Sequence, residues 1–139
     1  MPAISEIIIN KPASHVWSAI ADATTHPHWL GQDAITKYEG DAELAEGLKF
    51  TRVEKATGIT TEGEVVALRP PQFLKVRVDA PEMFVVTEYH LLAVREGCAL
   101  RVTCEVYDTG EKRHGYFPEE IEQRWHTYLQ RLKNYCEAR

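Results

Sequence analysis

The sequence predicts an α+β fold in which a curved, seven-stranded antiparallel sheet wraps round a long C-terminal helix. The expected order is one strand, two short helices, six strands and the long helix. Three observations predict it. Residues 7–30 read as a strand followed by proline-opened helical turns ending in an aromatic anchor, Trp29. From Ile35 to Tyr107 the apolar residues recur with period two, the mark of strands with one dry face. From Pro118 the period becomes helical and stays so to the end of the chain.

Each element has a local cause. Ile4 to Asn10 is β-branched and apolar, and Pro12 stops it. The fixed backbone angle of Pro12 suits the first turn of a helix, where Ser14 is expected to satisfy free amides. Val16, Trp17 and Ile20 then fall at helical spacing among alanines. Asp22 and Thr24-Thr25 end that helix and start a second, closed by Trp29 and Leu30 before Gly31. Strands are expected at Ile35–Glu39, Leu48–Glu54, Ile59–Leu68, Phe73–Asp79, Met83–Val94 and Ala99–Tyr107. The breaks between them are a polar loop from Gly40 to Gly47, Lys55 to Gly58, Pro70-Pro71, Ala80 to Glu82 and Arg95 to Gly97. Neither proline of Pro70-Pro71 can donate to a sheet ladder. Leu74, Val76 and Val78 alternate with Lys75, Arg77 and Asp79, and Leu100, Val102, Cys104 and Val106 with Arg101, Thr103 and Glu105. Gly110 to Gly115 reads as a mobile loop. The final helix carries Glu119, Glu120 and Glu122 in its first turns, where the helix dipole favours negative charge. Its apolar stripe is Ile121, Trp125, Tyr128, Leu129, Leu132 and Cys136. A one-sided sheet needs cover, and this stripe supplies it.

Length and composition bound the rest. The chain, 139 residues, is expected to form one domain over 1–139 and to bury roughly two-thirds of its unfolded surface. With 44% hydrophobic and 27% charged residues it has the composition of an ordinary soluble protein. No apolar run approaches the ~20 residues of a membrane span, and no signal peptide is evident at the N-terminus. The net charge of −5 and the scattering of Lys37, Lys49, Arg52, Lys55, Arg69, Lys75 and Arg77 argue against nucleic acid. Most of those basic residues are expected on a solvated strand face. Cys98, Cys104 and Cys136 are odd in number and without a Cys-x-x-Cys spacing. Cys98 and Cys104 on one strand stand ~20 Å apart, too far for a disulfide. Reduced thiols in a cytoplasmic protein are expected.

Several of these stretches resemble the START-like or SRPBCC superfamily, whose fold is the α+β helix-grip, also called Bet v 1-like. They are Ile9-x-Lys11-Pro12-Ala13-x-x-Val16-Trp17-x-Ala19-Ile20-x-Asp22 with Trp29, Gly63-x-Val65 leading to Pro70-Pro71-x-x-Leu74, and Pro118-Glu119-Glu120-x-x-x-x-Trp125 with Leu129 and Leu132. Within the superfamily the chain is most similar to the branch named for the activator of the heat-shock-protein-90 ATPase, followed by the polyketide cyclase/dehydratase branch. Members of the first branch often carry a double Trp after the second helix and a Gly-Gly before the third strand. Here Leu30 follows Trp29, and Glu46-Gly47 replaces the glycine pair. The matching residues are core and turn residues, so they specify fold and say little of activity.

A sheet of this size gripping one helix leaves a cleft near its open end, and such clefts commonly take apolar ligands. Trp29, Phe50, Tyr89, Trp125, Tyr128 and Leu132 are the expected cavity lining; the alternative is that they simply fill the core, as large aromatics at a helix–sheet interface do. Tyr89 shares a strand face with Thr87 and Leu91, and His90 shares one with Glu88 and Leu92. Tyr89 is therefore expected inward, while His90 and His126 are expected to be solvated. His26-Pro27-His28 places two imidazoles near one another but lacks a third ligand pattern, so an exposed turn is expected there and no metal. Glu62 and Glu64 are expected outward, because an unpaired inward carboxylate is costly. No phosphate loop, nucleophile elbow or zinc-protease motif occurs, and no cofactor is expected. The leading expectation is non-enzymatic binding of a small hydrophobic or amphipathic molecule. The alternatives are a polyketide cyclase/dehydratase-like enzyme using Tyr89, His90 or His126, and a co-chaperone-like interaction module implied by the branch name. A homodimer through edge strands is compatible with the sequence but not selected by it.

Overall fold

The computed structural model describes residues 3–31, 34–41, 43–55, 57–80, 83–108 and 118–139. The loop expected at Gly110–Gly115 and the turn at Pro81-Glu82 lie outside the described residues. The strands are β1 (Ala3–Ile9), β2 (Ala34–Tyr38), β3 (Lys49–Glu54), β4 (Ile59–Arg69), β5 (Phe73–Ala80), β6 (Met83–Val94) and β7 (Gly97–Asp108). They form one antiparallel, curved sheet in the order β1-β7-β6-β5-β4-β3-β2. Helix α1 (Ala13–Ala21), a 3-10 turn (Ala23–Thr25) and α2 (His26–Trp29) separate β1 from β2, and α3 (Pro118–Glu137) closes the chain. This is the helix-grip α+β architecture, with every expected element present and ends displaced by a residue or two.

Alternation decides which face is dry. On β7, Cys98, Leu100, Val102 and Cys104 are buried; on β6, Thr87, Tyr89 and Leu91; on β5, Leu74 and Val76. Register carries the pattern across the sheet: Tyr89 stands opposite Leu74 on one side and Val102 on the other. The intervening residues face out, so Glu88 and His90 sit together on the outer surface, 3.3 Å apart. Glu62 and Glu64 are also exposed there. A register shift between Val65 and Ala67 interrupts the alternation of β4, so that Val65 pairs with Val76 and is fully buried while Ala67 stands opposite Lys75.

Two glycines are required by close approach. The backbone of Ile9 and Lys11 passes where a side chain on Gly97 would begin, and Gly97 itself has φ 140°. A Cβ on Gly63 would overlap the Phe50 ring, which crosses the sheet at that point. Phe50 and Gly63 are direct partners in the β3–β4 ladder.

The cap of α1 differs from expectation. Pro12 occupies the N-cap position and no side chain caps the helix. Ser14 lies one residue inside the helix, too late to reach the free amides, and its carbonyl instead accepts from the Ser18 hydroxyl at 2.9 Å. Asp22 performs the capping at the next turn, where its carboxylate accepts from the Thr24 backbone N–H at 3.0 Å.

Helix α3 lies across the inner face and is tied to β1 at its C-terminal half. Leu129, Leu132 and Cys136 are buried there. The Lys133 ammonium donates to the Ile8 carbonyl at 2.7 Å, and the Asn10 amide donates to the Glu137 carboxylate at 2.8 Å. Among the described residues no helix is long and apolar enough to cross a membrane.

Candidate functional site

The N-terminal half of α3 bridges the sheet without sealing it. Between this half-helix and the inner faces of β3 to β7 lies an open cavity of about 580 Å³, inside the range of ~300–1,000 Å³ typical of small-molecule sites. Val76 and Val78 of β5, Val85 of β6, Val106 of β7 and Ile121 of α3 supply apolar wall. Tyr89, Trp125 and Tyr128 supply the aromatic wall, each meeting the next edge to face at 5.8 Å and 5.3 Å. The mouth carries Glu54, Ile59 and Arg124, all exposed.

Of the six side chains expected to line a cavity, the structure brings Tyr89, Trp125 and Tyr128 together on this wall. The other three lie elsewhere. Trp29 is buried behind Tyr89, edge to face at 6.5 Å, with its indole N–H donating to the Thr25 hydroxyl at 3.2 Å. Leu132 is fully buried one turn beyond the cavity, where α3 packs on the sheet. Phe50 is buried between Gly63 and Tyr38 and borders a separate surface groove. Large apolar side chains fill the closed part of a core as readily as the open part, and their type does not distinguish the two.

Two placements depart from the sequence reading. Arg52, expected on a solvated face, shares the inner face of β3 with Phe50 and points into the cavity. The residue is half-buried. Desolvation is the main influence on this group and lowers its pKa, with the nearby Tyr89, Tyr38 and Tyr128 as secondary influences. His26, expected in an exposed turn, is 5% exposed. Its turn folds back beneath α1, so that Nε2 meets the Ile20 carbonyl at 2.9 Å and Nδ1 meets the Thr36 hydroxyl at 2.8 Å. His28 does reach the surface, stacked on Tyr135.

These contacts have a direction. A carbonyl only accepts, so Nε2 carries the proton. Burial, assisted by the charge of Arg52, lowers the His26 pKa to about 4, so the ring is neutral near pH 7 and Nδ1 accepts from Thr36. The Thr36 hydroxyl in turn accepts from Arg52 Nε at 3.0 Å. A chain of three hydrogen bonds thus runs from the Ile20 carbonyl through His26 and Thr36 to the guanidinium and fixes its orientation. The one sequence signal for it is parity: if Phe50 points inward, so does Arg52.

The remaining polar groups of the wall hold fixed protonation states. Burial pushes the Tyr89 hydroxyl well above its ordinary range and raises that of Tyr128. Among the described residues the Tyr89 hydroxyl makes no hydrogen bond, yet no fully buried side-chain N or O is left without one. Tyr89 itself is part of the cavity lining. Cys104 at the cavity floor has its thiol pKa raised by burial, which disfavours the reactive thiolate. His90 and His126 both face away from the cavity, exposed or partly so. Among the described residues no group of three or more His, Cys, Asp or Glu side chains could hold a metal ion.

A sequence model of the family described as "Activator of Hsp90 ATPase homolog 1-like protein" matches residues 10–137. Solved structures share the fold at low identity. A protein from Mesorhizobium loti superposes with a TM-score of 0.81 at 17% identity, covering 99% of this chain and 98% of that one. A protein of the same named family from Aeromonas hydrophila gives 0.72 at 18% identity, covering 99% and 93%. A protein from the dynemicin biosynthetic locus gives 0.74 at 19% identity, covering 98% of this chain and 47% of that one. No relative was found among curated proteins.

Proposed function

The chain belongs to the activator of Hsp90 ATPase homolog 1-like family, and from that premise we propose that it is a non-enzymatic, single-domain protein that binds a small hydrophobic or amphipathic molecule between its sheet and C-terminal helix. The observation that carries this reading is the open cavity of about 580 Å³ beneath α3, walled by valines and by Tyr89, Trp125 and Tyr128. Aromatic walls with a few convergent polar groups are the usual make-up of small-molecule sites. Among the described residues the wall has no histidine, and its tyrosines and thiol are pushed away from titration near pH 7, which supports binding over general acid–base chemistry.

A protein-docking role draws less support. Exposed large apolar side chains are spread over β1, β2, β4, β6 and β7; Ile8 and Leu92 flank Ala99 in one row of the outer face, and a row of three residues is too small to mark an interface. Three buried, unpaired cysteines suit a reducing compartment such as the cytoplasm.

Native mass spectrometry of freshly purified protein tests the reading. The expected result is an adduct of small-molecule mass that is lost on denaturation. Protein that emerges unliganded, and whose Trp125 fluorescence an apolar probe leaves unchanged, would end the case.

A further inference from the structure

We propose that the ligand is an amphipathic monocarboxylate whose acid group pairs with Arg52 while its apolar body lies along Val76, Val85, Ile121 and Trp125. This rests on the cavity reading above and deepens it by assigning the ligand's charged end.

A buried charge is normally paired, because removing it from water without a partner costs several kcal/mol. The Arg52 guanidinium has five N–H donors, of which one meets a protein acceptor, Thr36, among the described residues. Its other close companions are the Phe50 ring, 5.5 Å from Cζ, and the hydroxyls of Tyr38, Tyr89 and Tyr128, near enough to feel its charge. All of these are neutral. Among the described residues no carboxylate lies within ion-pair distance of Arg52. Among the described residues the cavity lining carries Arg52 and Arg124 against Glu54, an excess of one positive charge in a chain whose net charge is −5.

The geometry selects the kind of anion. One guanidinium neutralises one charge, and its planar fork matches the two oxygens of a carboxylate. Tyr89 lines the same cavity, and its hydroxyl can donate a further hydrogen bond to the acid. The His26–Thr36 chain holds Nε on the protein side, which leaves the terminal nitrogens for the ligand. Apolar wall begins directly beyond, so the recognised molecule is acidic at one end and greasy along its length.

The test displaces N-phenyl-1-naphthylamine, a neutral fluorescent probe, with dodecanoate, dodecanol or dodecyl phosphate at pH 7.5. Wild-type protein is expected to bind dodecanoate at least tenfold more tightly than dodecanol, although the alcohol is the more apolar. Dodecyl phosphate is expected to bind no more tightly than dodecanoate. Arg52→Met should lose that tenfold preference while keeping its affinity for dodecanol and the probe within about twofold. Equal binding of acid and alcohol by wild type would overturn the assignment of the acid group and leave the cavity reading standing. A tenfold preference for the phosphate would overturn the choice of carboxylate. Failure of all four compounds to bind would sink both readings together. Should Arg52→Met not fold, the wild-type ratios decide the matter without it.

Discussion

At His26 two neighbours settle the ionisation state. The Ile20 carbonyl accepts from Nε2–H and the Thr36 hydroxyl donates to the lone pair of Nδ1, so a second proton on the ring would reverse the Thr36 hydrogen bond and set a buried cation beside the Arg52 guanidinium. Burial and the adjacent guanidinium lower the pKa from 6.5 to about 4. The unfolded chain therefore binds a proton between those two values that the folded chain refuses. Stability is full above about pH 6.5 and falls as the pH drops toward 4, by about 3 kcal/mol in all. Urea denaturation of wild type and His26→Gln across pH 4–7.5 checks this. The wild-type slope should exceed that of the variant between about pH 4 and 6.5 and match it above, whereas equal slopes throughout would show that the ring protonates in the fold. Because Thr36 links the two residues, His26→Gln should also loosen Arg52 and weaken carboxylate binding more than alcohol binding.

Helix α3 divides into halves with different work. Leu129, Leu132 and Cys136 pack on the sheet with no accessible space beside them, while Ile121, Trp125 and Tyr128 roof the cavity. Leu132→Ala should cost about 2–5 kcal/mol and Trp125→Ala about 3–5 kcal/mol, both through lost packing. The separation lies in binding: Trp125→Ala should weaken probe affinity severalfold, and Leu132→Ala should leave it within twofold. Chemical denaturation and probe titration on the same samples check both, and a Trp125→Ala loss below about 1 kcal/mol would show that its burial is slight. The stripe that makes this helix was legible because 3.6-residue periodicity is local, and so were β5, β6 and β7, where alternation runs over eight residues or more. That same alternation placed Tyr89 inward and His90 outward. Arg52 was not legible as a cavity residue: β3 has six residues, mixes charged side chains on both faces, and turns inward only through its pairing with β4. His26 was hidden for a related reason, since a four-residue helix has no period and its burial depends on partners at Ile20 and Thr36. The division of the six expected aromatic and apolar residues into cavity wall and closed core was equally invisible, because it depends on where α3 parts from the sheet.

Across the whole molecule, anchoring and opening are set at opposite ends of one helix. Lys133, Glu137 and the buried Cys136 fasten the C-terminal half of α3 to β1 and to the chain entering α1, where His15 Nε2 meets the Cys136 carbonyl at 3.3 Å. The N-terminal half rests on a space that a ligand would fill. Occupation should therefore stabilise the molecule unevenly. A ligand at one hundred times its dissociation constant adds about 2.7 kcal/mol to the folded state. At ~4 °C per kcal/mol for a chain of this length, the melting temperature should rise by about 10 °C. In hydrogen exchange with dodecanoate, at short times that sample local opening, the added protection should fall on residues 119–128 and on β5 and β6 facing them. Residues 129–137, fastened to the sheet, exchange through global opening, so their slowing should match the global stabilisation and show only at long times. No added protection at residues 119–128 at short times, or protection confined to the outer face of the sheet, would place the ligand elsewhere and detach the helix-grip cavity from binding.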